Sequence, residues 1–271
     1  MDLYEELMCD IETMRQNRPM VLNVTNYVVA NSTANALLAL GASPAMSHNV
    51  DDMQELTAIA SALVVNIGTP SREFWESMFI AGNRAKELHI PTVFDPIAAG
   101  VVSKRTAMCR RFLEECTPAI VRGNASEIMS LGTNLDTEYG IAKGADATVG
   151  VEEALPAART LARKQHCVVS VSGEVDYITD GLSTFAVHGG SPLMPLVTGL
   201  GCTATALTAA FACVARDTLT AAVEGMMIMA AAGALAATQA DGPGTLQLCF
   251  YDALYSMTLD DLRLMVKVEA C

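Results

Sequence analysis

Short apolar segments alternate with amphipathic segments along most of the chain. Continuous apolar runs bounded by turn residues predict buried strands at 20–24, 62–68, 91–96, 118–121 and 168–171. Apolar residues at helical spacing and capping signals predict helices at 2–17, 31–40, 51–60, 71–88, 103–116, from 124 onward, and at 151–165. This alternation is typical of βαβ units. We therefore expect an α/β fold, a three-layer sandwich whose mainly parallel sheet is covered by helices on both faces.

The C-terminal half changes character. Residues 175–187 predict a hairpin around Asp180-Gly181, a pair that suits a tight primed turn. Two Ala-rich helices follow at about 201–215 and 218–239, and a helix at 245–258 closes the fold. A Gly-rich polar segment covers 132–150, but neither a repeat nor a domain linker interrupts the pattern. We expect one domain over residues 1–271, with ligands bound at the carboxyl ends of the strands.

Two long uncharged stretches raise the possibility of a membrane span. The first, 189–215, has glycine and proline throughout its first half, which leaves about 14 helical residues where a bilayer needs roughly 20. The second, 225–240, is short and Ala-rich. Both predict buried core helices, and we expect no membrane association.

Charge and cysteine content narrow the class of protein. Lys and Arg number 17 against 30 Asp and Glu, a net charge of −13, which argues against a nucleic-acid binder or a protein docked on anionic lipid. Only 17% of residues are charged while 51% are hydrophobic, which favours an oligomer. The eight cysteines form no Cys-x-x-Cys pair and the N-terminus is acidic, so we expect a cytoplasmic protein.

A glycine-rich turn precedes the first Ala-rich helix. Gly199 and Gly201 allow consecutive backbone N–H groups to point into one cavity, which with the helix N-terminus behind them predicts an anion hole. Cys202 would lie in the first turn, where the helix dipole favours a thiolate. The alternative is a plain entry turn with a buried cysteine.

Carboxylates and an arginine follow two other predicted strands. Asp95 ends one strand, and Arg122 and Glu127 follow the next. The two carboxylates predict a Mg²⁺ site that leaves coordination positions to phosphate and water, and Arg122 suits a phosphate contact. The alternatives are structural, since Asn124 and Glu127 have the spacing of a capping box and a strand-end Asp often caps a turn.

Three further residues lie after strands. Ser172 follows the strand at 168–171 and can meet a nucleotide, or it only enters the hairpin. Asn26, after the first strand, offers an amide to a ring heteroatom, and Met46 offers a soft contact, although a core position is the commoner one for methionine. The four histidines show no metal-ligand spacing.

Taken together, these motifs resemble the hydroxyethylthiazole kinase family of the ribokinase-like superfamily. The resemblance spans about 19–255 and includes the segments 25–29, 33–35, 38–46, 66–69, 95–96, 122–128, 173–177, 201–202 and 241–244. The chain departs from the family pattern at Leu200, where Thr is usual, and at Leu22, Ser172 and Ala98, where His, Thr and Gly are frequent.

The resemblance implies ATP- and Mg²⁺-dependent phosphorylation of the primary alcohol of hydroxyethylthiazole, in thiamine salvage. It implies Cys202 at the catalytic-base position, ATP contacts from Arg122 and Ser172, and thiazole contacts from Met46 and Gly199. It also implies a homotrimer with active sites between subunits. Two other functions stay open: a kinase of another small alcohol, such as a hydroxymethylpyrimidine, and a nucleotide-binding module without turnover.

Overall fold

The computed structural model describes residues 2–132 and 150–271, so the Gly-rich segment at 132–150 lies outside it except at its two ends. The strands are β1 (Met20–Val24), β2 (Ser43–Met46), β3 (Ala62–Asn66), β4 (Thr92–Asp95), β5 (Ile120–Asn124), β6 (Val168–Ser172), β7 (Val175–Thr179), β8 (Thr184–His188) and β9 (Lys267–Ala270). The helices are α1 (Leu3–Asn17), α2 (Ala30–Leu40), α3 (Met53–Ile59), α4 (Arg72–Glu87), α5 (Ser103–Cys116), α6 (Ala125–Gly132), α7 (Val151–Gln165), α8 (Leu200–Phe211), α9 (Thr218–Ala237), α10 (Pro243–Ser256) and α11 (Leu259–Met265). Short 3₁₀ turns occur at Val50–Asp52 and Met194–Leu196.

All these strands belong to one sheet, in the order β2-β1-β3-β4-β5-β6-β7-β8-β9. The pairs from β2 to β6 are parallel, and those from β6 to β9 are antiparallel. The sheet is therefore mainly parallel, as predicted, with an antiparallel extension built on the predicted hairpin. One shared sheet is consistent with one domain over 1–271, which stays a prediction.

Helices cover both faces of the sheet, because successive strand residues point to opposite sides. Val64 of β3 and Val93 of β4 pack with α2, α8, α9 and α10, whereas Val65 and Phe94 pack with α4, α5 and α7. Both sets are buried, which is why these strands are apolar throughout their length. The three-layer α/β prediction is confirmed.

Five elements differ from the sequence-based prediction. The strand β5 spans Ile120–Asn124 rather than 118–121, so Arg122 lies within the strand and not after it. The pattern gave no signal for β2, where Ser43 and Pro44 interrupt an apolar run, nor for α11 and the short charged edge strand β9. The helix α8 ends at Phe211 rather than near 215. Because neither glycine nor proline occurs between Phe211 and the start of α9 at Thr218, the sequence carries no signal for the end of α8.

The helix α9 contains most of the second uncharged stretch, 225–240, which raised the possibility of a membrane span. It is 20 residues long and apolar enough to cross a bilayer, but 83% of its most apolar stretch is buried within the fold. It packs against α8, α10 and α11. Among the described residues it therefore serves as a core helix, as the sequence predicted.

Candidate active site

Polar side chains meet at the carboxyl edge of the parallel strands. Asn66, Asp95, Asn124 and Ser172 are the last residues of β3, β4, β5 and β6. Asn66 lies opposite Asp95 and Asn124 lies opposite Ser172 in the strand register. Parallel strands thus bring residues far apart in sequence to one edge, which is the usual ligand-binding edge of such sheets.

The glycine-rich turn leads into α8 as predicted. Gly199 has a φ of +89°, and a Cβ added there would lie 2.5 Å from Cγ1 of Val29, so both conformation and space require glycine. Gly201 and Cys202 are the second and third residues of α8, where backbone N–H groups lack helical partners. The side chain of Leu200 packs into the core, so this departure from the family pattern leaves the backbone donors in position.

Arg122 joins this turn to the sheet. Its Nη1 donates to the Gly201 carbonyl oxygen over 2.8 Å, while Nε is buried without a partner. Arg122 is 8% exposed and lines a cleft of about 990 Å³ together with Ser172, Asp176 and Gly199. A buried cation with an unpaired donor suits an anionic ligand in this cleft.

The far wall of the cleft is the entry to the β6–β7 hairpin. The Ser172 hydroxyl lies 3.4 Å from the Gly123 carbonyl oxygen, a long hydrogen bond that holds the side chain weakly. Asp176 accepts a hydrogen bond from the Gly173 N–H over 3.0 Å. Burial raises the pKa of Asp176 to about 6, against the opposing charge of Arg122.

Asp95 is the most buried carboxylate of the strand edge, at 1% exposure. Its Oδ2 accepts hydrogen bonds from Asn66 Nδ2 over 2.7 Å and Thr205 Oγ1 over 2.8 Å. Its Oδ1 is buried and has no partner. Burial raises the pKa of Asp95, and the positive charge of Arg122 opposes that shift.

Glu127 has both structural and electrostatic roles. Its Oε2 accepts from the Asn124 N–H over 2.9 Å while Asn124 Oδ1 accepts from the Glu127 N–H over 2.9 Å, so the predicted capping box exists. Its Oε1 accepts from the Ala98 N–H over 2.9 Å, which ties α6 to the loop after β4. Burial raises the pKa of Glu127 as well.

These two carboxylates are compatible with a divalent cation. Asp95 offers a buried oxygen with no partner, and each Glu127 oxygen retains a lone pair beyond its single backbone hydrogen bond. Hard oxygen donors of this kind suit Mg²⁺, which usually binds one or two carboxylates and keeps water and phosphate as its other ligands. No group of three or more His, Cys, Asp or Glu side chains arranged for a metal occurs in residues 2–132 and 150–271.

Cys202 differs from the expectation based on the helix dipole. Its pKa is raised to about 12 by burial and then by the negative charge of Asp95, rather than lowered. The helix start does place Cys202 in the first turn, but desolvation of a thiolate outweighs the dipole there. Without a bound ligand the group is therefore a neutral thiol, which can donate a hydrogen bond but is a poor proton acceptor.

Asn26 follows β1, and Met46 ends β2, the strand that pairs with β1. Asn26 Nδ2 lies 2.7 Å from Asn66 Oδ1 and 3.6 Å from Cys202 Sγ, so both amide hydrogens have protein partners. Met46 ends β2 and is partly exposed, so the expectation of a core methionine is wrong. The accessible thioether keeps the soft ligand contact as a prediction.

Sequence reasoning missed Asn66 and Thr205 as functional residues. Asn66 belongs to the segment 66–69 that resembles the family, but it was given no role there, and it is fully buried. Thr205 follows Cys202 by three residues in a helix rich in Ala and Thr, so it shares a helix face with Cys202. A polar residue in a strand with two buried faces is the signal that could have identified Asn66.

Comparison with known proteins identifies the family. Residues 11–260 match the hydroxyethylthiazole kinase family. A protein of Nitratidesulfovibrio vulgaris (strain DP4) named hydroxyethylthiazole kinase is 50% identical over 260 residues, 96% of each chain. The chain belongs to the hydroxyethylthiazole kinase family. The resemblance inferred from the residues is therefore confirmed, and the protein is an enzyme of a kinase family.

Solved structures agree on the fold of this family. A structure described as a hydroxyethylthiazole kinase protein from Pyrococcus horikoshii OT3 has a TM-score of 0.89 at 37% identity, covering 98% of this chain and 99% of that one. A ribokinase-like superfamily protein from Enterococcus faecalis V583 has a TM-score of 0.67 at 11% identity, covering 92% and 89%. At 11% identity the likeness concerns the fold alone, which is ribokinase-like.

Proposed function

We propose that this protein transfers the γ-phosphoryl group of ATP, with Mg²⁺, to the primary alcohol of 4-methyl-5-(2-hydroxyethyl)thiazole. The observation that carries the proposal is the start of α8, where two consecutive residues face different partners. Gly201 binds the guanidinium of Arg122, and Cys202 contacts the amide of Asn26. A group that binds anions and a group that can meet an alcohol thus adjoin, as phosphoryl transfer requires.

The nucleotide is proposed to occupy the cleft lined by Arg122 and Ser172. The planar fork of Arg122 contacts phosphate oxygens, and the backbone N–H groups around Gly199 and Gly201 stabilise the charge of the transferring group. These few fixed donors hold an anion despite the overall charge of −13, because they act at short range.

Asp95 and Glu127 are proposed to hold the magnesium ion, directly or through water. When bound, the ion supplies positive charge that neutralises the phosphate oxygens. The unpaired Oδ1 of Asp95 supports this assignment, because a buried carboxylate oxygen without a partner is costly unless a cation or donor meets it.

The alcohol of the thiazole is proposed to lie at Cys202. The thiazole itself is proposed to contact Asn26, Met46 and Gly199. The Cys202 side chain orients the hydroxyl toward the phosphoryl group, and it accepts the proton if ligand binding lowers its pKa. Proximity and alignment supply most of the rate enhancement in this arrangement.

The test measures ADP release from Mg-ATP with hydroxyethylthiazole, with a hydroxymethylpyrimidine, and with no alcohol. We expect release that depends on hydroxyethylthiazole and on Mg²⁺, together with a phosphorylated thiazole product detected by mass spectrometry. Turnover only with the pyrimidine would support the other kinase function. ATP binding without turnover on either alcohol would support the nucleotide-binding module, and both outcomes contradict the proposal.

The physiological setting is also a proposal. The product class fits thiamine salvage, and none of the eight cysteines, each among the described residues, forms a disulfide, which is typical of a cytoplasmic protein. The family resemblance further implies a homotrimer with active sites at subunit interfaces.

A further inference from the structure

Two buried amide side chains connect Asp95 to Cys202. Asn66 Nδ2 donates to Asp95 Oδ2 over 2.7 Å, Asn26 Nδ2 donates to Asn66 Oδ1 over 2.7 Å, and the same Asn26 nitrogen lies 3.6 Å from Cys202 Sγ. Asn66 is fully buried and Asn26 is 3% exposed. Asn66 is therefore the link between the carboxylate of the strand edge and the amide that contacts the thiol. Its own side chain also lies within reach of the sulfur, because hydrogen bonding from Asn66 as well as from Asn26 lowers the pKa of Cys202, against the larger effects of burial and of Asp95.

The backbone fixes the orientation of both amides. The Gly68 N–H donates to Asn66 Oδ1 over 3.1 Å, and the Val28 N–H donates to Asn26 Oδ1 over 3.1 Å. Each oxygen is thereby assigned as an acceptor, so each nitrogen must donate. The direction of the hydrogen bonds from Asn26 to Cys202 and from Asn66 to Asp95 follows from these contacts.

The amides also have little freedom to move. A Cβ added at Gly68 would lie 2.6 Å from Asn26 Nδ2, so the backbone of this loop packs directly on the amide. If Asn66 were replaced by an apolar residue, Asn26 would lose the acceptor that holds one of its two hydrogens. The second hydrogen, directed at the sulfur, would then no longer be fixed.

We propose that Asn66 is a positioning residue that holds the Asn26 N–H on the Cys202 sulfur and so fixes the direction of the thiol. The donor occupies one side of the sulfur, which leaves the S–H free to meet the substrate hydroxyl. This inference rests on the proposed function, in which Cys202 orients the alcohol. It assigns Asn66 a role that acts through Cys202 rather than through Asp95.

A double-mutant cycle separates these two routes. Asn66→Leu keeps the number and branching of the side-chain heavy atoms and removes the hydrogen bonds to Asp95, Asn26 and the Gly68 N–H. We expect it to lower kcat by about tenfold with little change in the KM for ATP, since small misalignments of reacting groups cost up to about a hundredfold. In a Cys202→Ala background, Asn66→Leu should lower kcat no further. If it does so by the same factor as in the wild type, Asn66 acts elsewhere and the proposal is overturned.

Thr205→Val is the matched control. It removes the other donor to Asp95 Oδ2, keeps the side-chain shape, and leaves the contacts of Asn66 and Asn26 in place. Its effect on kcat should persist in full in the Cys202→Ala background. If Asn66→Leu does not fold, as judged by thermal melting, Asn66→Ala takes its place in the same cycle.

Alkylation by iodoacetamide gives a readout that does not need turnover. Peptide-resolved mass spectrometry follows Cys202 at one pH, with the exposed Cys271 as internal reference. Asn66→Leu should slow alkylation of Cys202 about threefold or more, because the sulfur loses the donor that stabilises its developing charge, and Thr205→Val should not. Equal alkylation rates in the wild type and Asn66→Leu would overturn the proposal for Asn66. This readout does not depend on turnover, so it stays decisive if the chain is inactive on the thiazole. Inactivity on the thiazole contradicts only the proposed function.

Discussion

At the scale of single residues, two local effects compete at Cys202. The start of α8 favours a negatively charged thiolate, whereas burial and the negative charge of Asp95 disfavour it. Burial and Asp95 outweigh the helix start, so the pKa of Cys202 is raised. A thiol held neutral can still align a hydroxyl for transfer. We therefore expect substitution of Cys202 to change kcat rather than the affinity for the nucleotide.

Cys202→Ala should lower kcat while the KM for ATP changes little, because Cys202 is not among the residues that line the nucleotide cleft. The decrease reaches about 10²–10⁴-fold if the side chain also accepts the proton. Cys202→Asp should retain activity, since a carboxylate there also meets the hydroxyl. Steady-state kinetics measure both variants, and an unchanged kcat in Cys202→Ala would contradict any catalytic role.

Ala98 shows a residue in an unfavourable backbone conformation. Its φ is +60°, a region that costs a residue with a Cβ about 1–2 kcal/mol, and its N–H binds Glu127 Oε1. Ala98→Gly should therefore stabilise the protein by about 0.5–1 kcal/mol, part of the gain being offset by the freer unfolded chain.

The matched control is Ala107→Gly on the exposed face of α5, which should destabilise the protein by about 0.5–1 kcal/mol. Denaturant unfolding measures both variants. Destabilisation of similar size at the two positions would mean that the conformation at Ala98 carries no strain.

At the scale of elements, the contact between α1 and α9 buries acidic groups outside the active site. Glu224 of α9 is fully buried, and its carboxyl group lies within hydrogen-bonding range of the Asp10 carboxylate on α1. Asp10 and Glu6 of α1 lie nearby, and Arg216 forms an ion pair with Glu6 at 2.8 Å. Burial, and then the charge of Asp10, raise the pKa of Glu224 to about 9, so it holds a proton at neutral pH.

This shift predicts a pH-dependent stability. Between the ordinary pKa of 4.5 and about 9, the unfolded chain has lost the Glu224 proton while the folded protein keeps it. Stability therefore falls as pH rises, by up to about 1.4 kcal/mol per pH unit. Glu224→Gln removes this dependence, so its melting temperature relative to the wild type should increase from about pH 5 to about pH 8.

Glu55→Gln on α3 is the control for this variant, because it makes the same chemical change at an exposed position. It should show no comparable trend with pH. A gap between the wild type and Glu224→Gln that stays constant over the same range would show that Glu224 is ionised in the folded protein.

At the scale of the whole molecule, apolar side chains remain exposed beside the active site. Tyr27 is 67% exposed and Val28 is 62% exposed, directly after Asn26, and Leu196 before the glycine turn is 65% exposed. Large exposed apolar groups around a functional site are typical of an interface. They support the proposed trimer with active sites between subunits.

The wild type should therefore have a solution mass of three times the 28.6 kDa chain at micromolar concentration, measured by multi-angle light scattering. Val28→Glu should shift the mass downward, because it introduces a charge into the proposed interface. Leu182→Glu, at the exposed tip of the hairpin, should leave the mass unchanged. A monomeric wild type would contradict the trimer.

The pattern of apolar residues was sufficient to predict most of the fold. Buried parallel strands need apolar residues throughout, so β1, β3, β4 and β6 were found close to where the pattern put them. The strand β5 was predicted at 118–121 but spans Ile120–Asn124, because the polar residues Arg122 and Asn124 gave no sign that the strand continued. The edge strands β2 and β9 were missed because a strand with one free edge tolerates proline and charge. The motif residues also predicted the family, which the comparisons confirmed.

Only the tertiary structure decided how the site residues meet. That Asn66 links Asp95 to Asn26, and that Thr205 binds the same carboxylate, depends on the strand register and on the packing of α8 over it. The direction of the Cys202 pKa shift likewise depends on burial, which a dipole argument from sequence leaves out. Sequence determined the elements and the chemistry available, because these follow from local pattern and residue type. The fold determined distances and desolvation, because both arise from residues that are remote along the chain.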